Sequence, residues 1–144
     1  MNNLLSQIVQ MDLNLLYGFV LLDEKEQALQ SIEVMVQLAR YLGKSEGGVV
    51  SLEDENNHLL ELIQLKNLKT PKEFSLIIDM ETEDKNIYIE RFSVFNKIAP
   101  QIMNDNKISH GCYQLKYRQN EMDLDAELLI KNETVLDFNV KIFK

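Results

Sequence analysis

Three stretches near the C-terminus alternate apolar and polar residues one by one. Tyr113, Leu115 and Tyr117 are separated by Gln114 and Lys116; Met122, Leu124, Ala126, Leu128 and Ile130 repeat the pattern with Asp123, Asp125 and Glu127 between. Leu136, Phe138, Val140 and Ile142 repeat the pattern. A period of two marks strands with one face buried and one wet. The pattern predicts three consecutive antiparallel strands across Gly111 to Phe143. A pairing that sets Arg118 opposite Asp123, Lys116 opposite Asp125 and Gln114 opposite Glu127 matches the hydrophobic faces and alternates charge on the outer one. For the next connection, a three-residue loop, Asn132 to Thr134, keeps Ile130 and Leu136 on one face and is preferred over a two-residue loop at Asn132-Glu133.

The N-terminal half has the other period. Leu4, Leu5, Ile8, Val9, Leu15, Leu16, Phe19 and Val20 recur at steps of three, four and seven, which predicts a helix from Leu4 to about Val20. Asp23 and Glu26 resemble a capping box, and Ala28, Leu29, Ile32, Met35, Val36, Ala39 and Leu42 form one face of a second helix that Gly43 would end in a left-handed turn. Ser51 with Asp54 is placed to cap a third helix, Leu52 to about Leu68, with Leu52, Leu59, Leu60 and Ile63 inward. A short strand at Val49 to Leu52 is the alternative there. Thr70-Pro71 closes the helical part.

Beyond it, Phe74, Leu76, Ile78 and Met80 alternate, and Ile87 to Phe95 reads as a long apolar strand, the two forming a hairpin. Asn96 to Lys107 reads as a connection with one helical turn around Ile98 to Met103. The change of period near Thr70 predicts an α+β protein: two or three N-terminal helices packed on a C-terminal antiparallel sheet of about five strands. One domain is expected over residues 1–144, helical to residue 70 and β from residue 71.

Charge and chemistry narrow the function classes. The net charge of −8 argues against a nucleic-acid backbone or an anionic membrane as partner. One cysteine, Cys112, cannot close an intrachain disulfide, and Met1-Asn2-Asn3 lacks the basic start of a signal peptide, so a cytoplasmic location is expected. His110 and Cys112 supply at most two metal ligands, short of the three or four that zinc takes. Gly43-Lys44-Ser45 lacks the glycine five residues earlier that a phosphate loop needs; Leu38 stands there. Glu53-Asp54-Glu55 reads as a solvated first helical turn, and Asp123, Asp125 and Glu127 as an acidic row opposite basic residues. Tyr113 and Tyr117 read as core.

No catalytic residue, metal or cofactor is therefore expected. The expected function is non-catalytic binding of another protein, as an inhibitor or immunity-type protein or as a chaperone or adaptor. A homodimer is a further expectation. The candidate contact residues are Leu5, Phe19 and Leu22 on the first apolar stripe and Asp123, Asp125 and Glu127 on the acidic row. Two alternatives stand beside it: a small-ligand pocket or enzyme site near His110, Cys112 and Tyr113, and a structural subunit of a larger assembly.

Overall fold

The computed structural model describes residues 25–44, 47–69, 74–81, 86–103 and 111–143. The helix expected over Leu4 to Val20, and with it Leu5, Phe19 and Leu22, lies outside the described residues, as does His110. The elements run α1 (Lys25–Leu42), β1 (Val49–Ser51), α2 (Leu52–Lys69), β2 (Phe74–Glu81), β3 (Tyr88–Glu90), α3 (Phe95–Met103), β4 (Gly111–Gln119), β5 (Asp123–Ile130) and β6 (Glu133–Phe143). The six strands form one sheet in the order β1-β3-β6-β5-β4-β2. All neighbours are antiparallel except β2 and β4, which are parallel. The α+β class holds.

One continuous core joins the layers. From the sheet it takes Leu76, Ile89, Tyr113, Leu115, Tyr117, Leu124, Ala126, Leu128 and Val140. From the helices it takes Leu38, Tyr41, Leu59, Leu62, Leu65, Ile98 and Ile102. Each fully buried side chain of this kind stabilises the fold by about 1.5–3 kcal/mol relative to an exposed one.

Helix α2 begins where its cap predicts. The Asp54 amide donates to Ser51 Oγ at 3.1 Å, and Ser51 is also the last residue of β1, so the strand and the helix start are both present and run directly into each other. Helix α1 buries a different face from the expected one. Ser31, Val34, Leu38, Tyr41 and Leu42 are buried, whereas Leu29 is 61% exposed and Ile32 and Val36 are exposed as well. The helix is apolar on two sides, and the side bearing Tyr41, whose hydroxyl meets Glu55 of α2, is the one turned inward. Leu60 on α2 is likewise exposed. Gly43, the first residue after α1, donates its N–H to the Ala39 carbonyl (2.9 Å), and the positive φ (85°) belongs to Gly47 instead.

The expected hairpin of residues 74–95 does not form. Strand β2 runs parallel to β4, from Phe74 beside Gly111 to Glu81 beside Arg118, with β3 and α3 in the connection between them. Strand β3 is only three residues long and lies across the sheet between β1 and β6. Residues 91–94 turn, and the nine-residue α3 follows because Phe95, Ile98, Ala99 and Ile102 share one helical face.

Two registers also differ from expectation. In β4–β5, Arg118 pairs with Asp125 and Lys116 with Glu127, two residues from the expected partners. A shift of two keeps every side chain on its predicted face, so the alternation could not reveal it. In β5–β6 the turn is Lys131-Asn132, with φ of 53° and 65°, a two-residue connection of the type that matches strand twist. The mismatch that this creates is absorbed further on: Leu128 pairs with Leu136 but Leu129 pairs with Thr134, leaving Val135 as a bulge. Both turn residues sit in the left-handed region, which favours Asn and Gly. Replacing Lys131-Asn132 by Asn-Gly is therefore expected to stabilise the fold by about 0.5–1 kcal/mol, read as a higher urea midpoint at unchanged slope.

Candidate functional site

Among the described residues the helices cover one face of the sheet and leave the other open over β4, β5 and β6. Because side chains alternate along each strand, three polar rows cross this open face. Lys116, Glu127 and Asp137 form one; Arg118, Asp125 and Asn139 the next; Asp123 stands beside Lys141 in the third. The first two rows and Thr134 line a shallow open depression. The acidic row of β5 is thus where the alternation predicts it, on the wet face of a central strand.

What holds the carboxylates differs from a simple ion-pair ladder. Asp125 accepts from Asn139 Nδ2 at 2.9 Å on one oxygen and from Asn120 Nδ2 at 3.0 Å on the other. Asn120 Nδ2 also donates to Asp123 at 2.8 Å, and its amide donates to the Asp123 carbonyl at 2.9 Å, which closes the β4–β5 turn. The Thr134 hydroxyl donates to Glu127. The two asparagine hydrogen bonds hold the Asp125 carboxyl below the usual carboxylate range, and the charge of Arg118 adds to the same effect. Asn120, Asn139 and Thr134 were not candidates from the sequence. Asn139 sits on the polar phase of β6, which is the one signal that points to it.

A second polar cluster is buried between the helices. Glu53 and Asp54 are exposed, but Glu55 is fully buried, contrary to the expectation of a wholly solvated acidic turn. The helix period explains the difference. Glu55 lies three residues after Leu52 and four before Leu59, on the inward stripe of α2. One carboxylate oxygen accepts from the Tyr41 hydroxyl (2.5 Å) and the Phe92 amide (2.6 Å); the other accepts from the amides of Val94 (2.9 Å) and Phe95 (3.3 Å). These amides belong to the turn before α3 and to its first residue, where backbone donors lack intrahelical partners. His58 stacks on Tyr41 with ring centroids 3.9 Å apart and bonds Glu61 at 2.8 Å. Burial pushes the Glu55 carboxyl above its ordinary range, with the Tyr41 and backbone hydrogen bonds pulling against it. Burial also raises Tyr41, and the bond to Glu55 raises it further. With both oxygens saturated by hydrogen bonds from the fold, this cluster acts as a structural clamp.

Cys112 and Tyr113, neighbours in sequence, lie on opposite faces of β4, and His110 lies outside the described residues. Cys112 is exposed on the open face, while Tyr113, the next residue, is buried on the helix side. Tyr113 and Tyr117 are both core residues; the Tyr117 hydroxyl donates to Asn56 at 2.6 Å. Among the described residues no group of three or more His, Cys, Asp or Glu side chains is arranged to hold a metal ion. No described helix is long and apolar enough to cross a membrane. No protein-family model matches the chain, and no curated protein matches it significantly.

The clamp makes a stability prediction. Glu55→Ala orphans three backbone amides and the Tyr41 hydroxyl and is expected to cost more than about 3 kcal/mol, whereas Tyr41→Phe should cost about 1–2 kcal/mol. Glu55→Gln, which disturbs chiefly the Phe92 amide, separates hydrogen bonding from charge. Because the Glu55 pKa is raised on folding, the folded state holds a proton that the unfolded state has released, and raising the pH through this interval disfavours folding. Stability of the native chain should accordingly fall, relative to Glu55→Gln, as pH rises from the ordinary glutamate range, checked by urea unfolding of both across that interval.

Proposed function

We propose that this is a non-catalytic protein that binds another protein, with the open face of β4–β6 as its contact surface. The observation that carries the reading is the preorganisation of that face. Asp125 is gripped by two asparagines and Glu127 by Thr134, on a central strand of a sheet whose back is anchored in the core. Side chains already fixed in place lose little freedom when a partner arrives. The net charge of −8 steers a basic partner, so an inhibitor or immunity-type role is the form that fits the surface best. The single cysteine is consistent with a cytoplasmic setting.

A chaperone or adaptor role has its own supporting observation, the exposed stripe of Leu29, Ile32 and Val36 on α1. One experiment separates the two. The protein is used to capture partners from its native extract, and the eluate is read by native mass spectrometry for a stoichiometric complex. Asp125→Asn combined with Glu127→Gln is expected to weaken capture by about tenfold or more with the unfolding midpoint little changed, in keeping with the loss of rim and steering charges. Ile32→Ser with Val36→Ser should leave capture intact. The reverse outcome would assign the apolar stripe and the chaperone class, and a retained small molecule without protein would refute the reading.

A further inference from the structure

Among the described residues strand β2 ends the sheet, and its outer edge carries a register of its own. Asn67, near the end of α2, donates from Nδ2 to the Phe74 carbonyl at 2.8 Å and accepts the Phe74 amide on Oδ1 at 2.7 Å. Both backbone groups of Phe74 therefore point away from β4. Backbone groups alternate sides along a strand, so the amides and carbonyls of Leu76, Ile78 and Met80 also point to the outer edge, while those of Ser75, Ile77 and Asp79 serve the ladder with β4. The strand contains no proline and no lysine, its charges are Asp79 and Glu81 near its end, and Ile77 stands 53% exposed.

We propose that this edge pairs with the same edge of a second copy of the chain, antiparallel about a two-fold axis at Ile78, joining two six-stranded sheets into one. The register follows from two observations. Pairing about Ile77 would leave Met80 facing Phe74 of the other copy, whose edge groups Asn67 already occupies. Pairing about Asp79 would set that carboxylate against its own copy, which is unfavourable. Pairing about Ile78 matches Leu76 with Met80 and Ile78 with itself, uses every available edge group from Leu76 to Met80 and places Ile77 opposite Asp79. A two-fold contact of this kind is self-complementary by construction. The buried area of so short an edge falls in the small class, so the association is weak and concentration-dependent. It uses the edge of the sheet and does not depend on the open face binding a partner.

Sedimentation velocity from about 1 µM to about 500 µM tests it, the range in which a small interface associates. The native chain is expected to shift from the 16.8 kDa protomer toward twice that mass. Met80→Pro removes an edge amide without touching the ladder to β4, which proline tolerates at such a position. It should stay at protomer mass at every concentration with an unchanged circular dichroism spectrum. If that variant fails to fold, cross-linking decides. In a Cys112→Ser background, Ile78→Cys should give a disulfide-linked dimer on mild oxidation, since a directly opposed pair brings Cα atoms to about 5.5 Å, and Ser75→Cys should not. A native chain that remains at protomer mass throughout, a folded Met80→Pro variant that dimerises as well as the native chain, or cross-linking at Ser75 in place of Ile78 would overturn the proposal.

Discussion

The carboxylate of Glu55 is the interaction on which the arrangement of helices and sheet depends. A buried, unpaired carboxylate is among the costliest groups a core can contain, and four directed donors offset that cost here. Each donor comes from a different part of the problem. Tyr41 brings α1 against α2. Phe92 brings in the end of the β3 segment, at a backbone φ of 71° that a bulky side chain adopts only under external constraint. Val94 and Phe95 fix where α3 begins. The same carboxylate thus ends a strand, turns the chain and starts a helix, while the ring of Tyr41 packs against Phe92, Phe95 and His58.

With the helices committed to one side, polar side chains complete the sheet where the backbone cannot. Asn67 fills the edge position beside Phe74, and Lys66, one residue earlier, donates to the Ile102 carbonyl at 2.5 Å and to the Tyr113 hydroxyl at 3.0 Å. The C-terminal turn of α2 therefore ties down the start of β2, the end of α3 and the inner face of β4 at once. On the far side, Asn120 closes the turn between β4 and β5 and Asn139 reaches across from β6. The amides of asparagine recur in these places because each carries donors and an acceptor on a short stem, matching a strand edge or a carboxylate without a charge of its own.

Much of this was legible in the pattern of residues, and the rest was hidden for identifiable reasons. The alternation in β4, β5 and β6 placed Tyr113, Leu115, Tyr117, Leu124, Ala126 and Leu128 inside and Lys116, Arg118, Asp123, Asp125 and Glu127 on the outer face, as found. The Ser51 cap marked the first residue of α2. Alternation reports faces, however, and is blind to a slip of two, so it does not distinguish the observed partners across β4 and β5 from those two residues away. Residues 87–95 looked like a strand because their side chains are apolar and β-prone; their amides are claimed by an acid roughly forty residues away in sequence, which no local window contains. Glu55 carries the charge of a solvated turn but occupies a position on the inward stripe of α2, and position decides its burial. In α1 two apolar stripes compete, and the choice between them rests on that same long-range bond to Tyr41.

The open face has an electrostatic property that a ladder of ion pairs would lack. An ion pair across β4 and β5 would cancel the charge of each carboxylate at the cost of ordering two long side chains, and at an exposed site it would add little to stability. Here the side chains that hydrogen-bond Asp125 and Glu127 are neutral, two asparagine amides and a threonine hydroxyl, while Arg118 and Lys116 stand beside them on β4. Neutral donors orient a carboxylate and favour its ionised form without removing its field. Among the described residues Asp125 and Glu127 are consequently held in place without a direct ion pair, and Asp125 is kept ionised. Asp125 and Glu127 are thus fixed in place by neutral hydrogen-bond donors, and the cations of β4 beside them act through their charge alone.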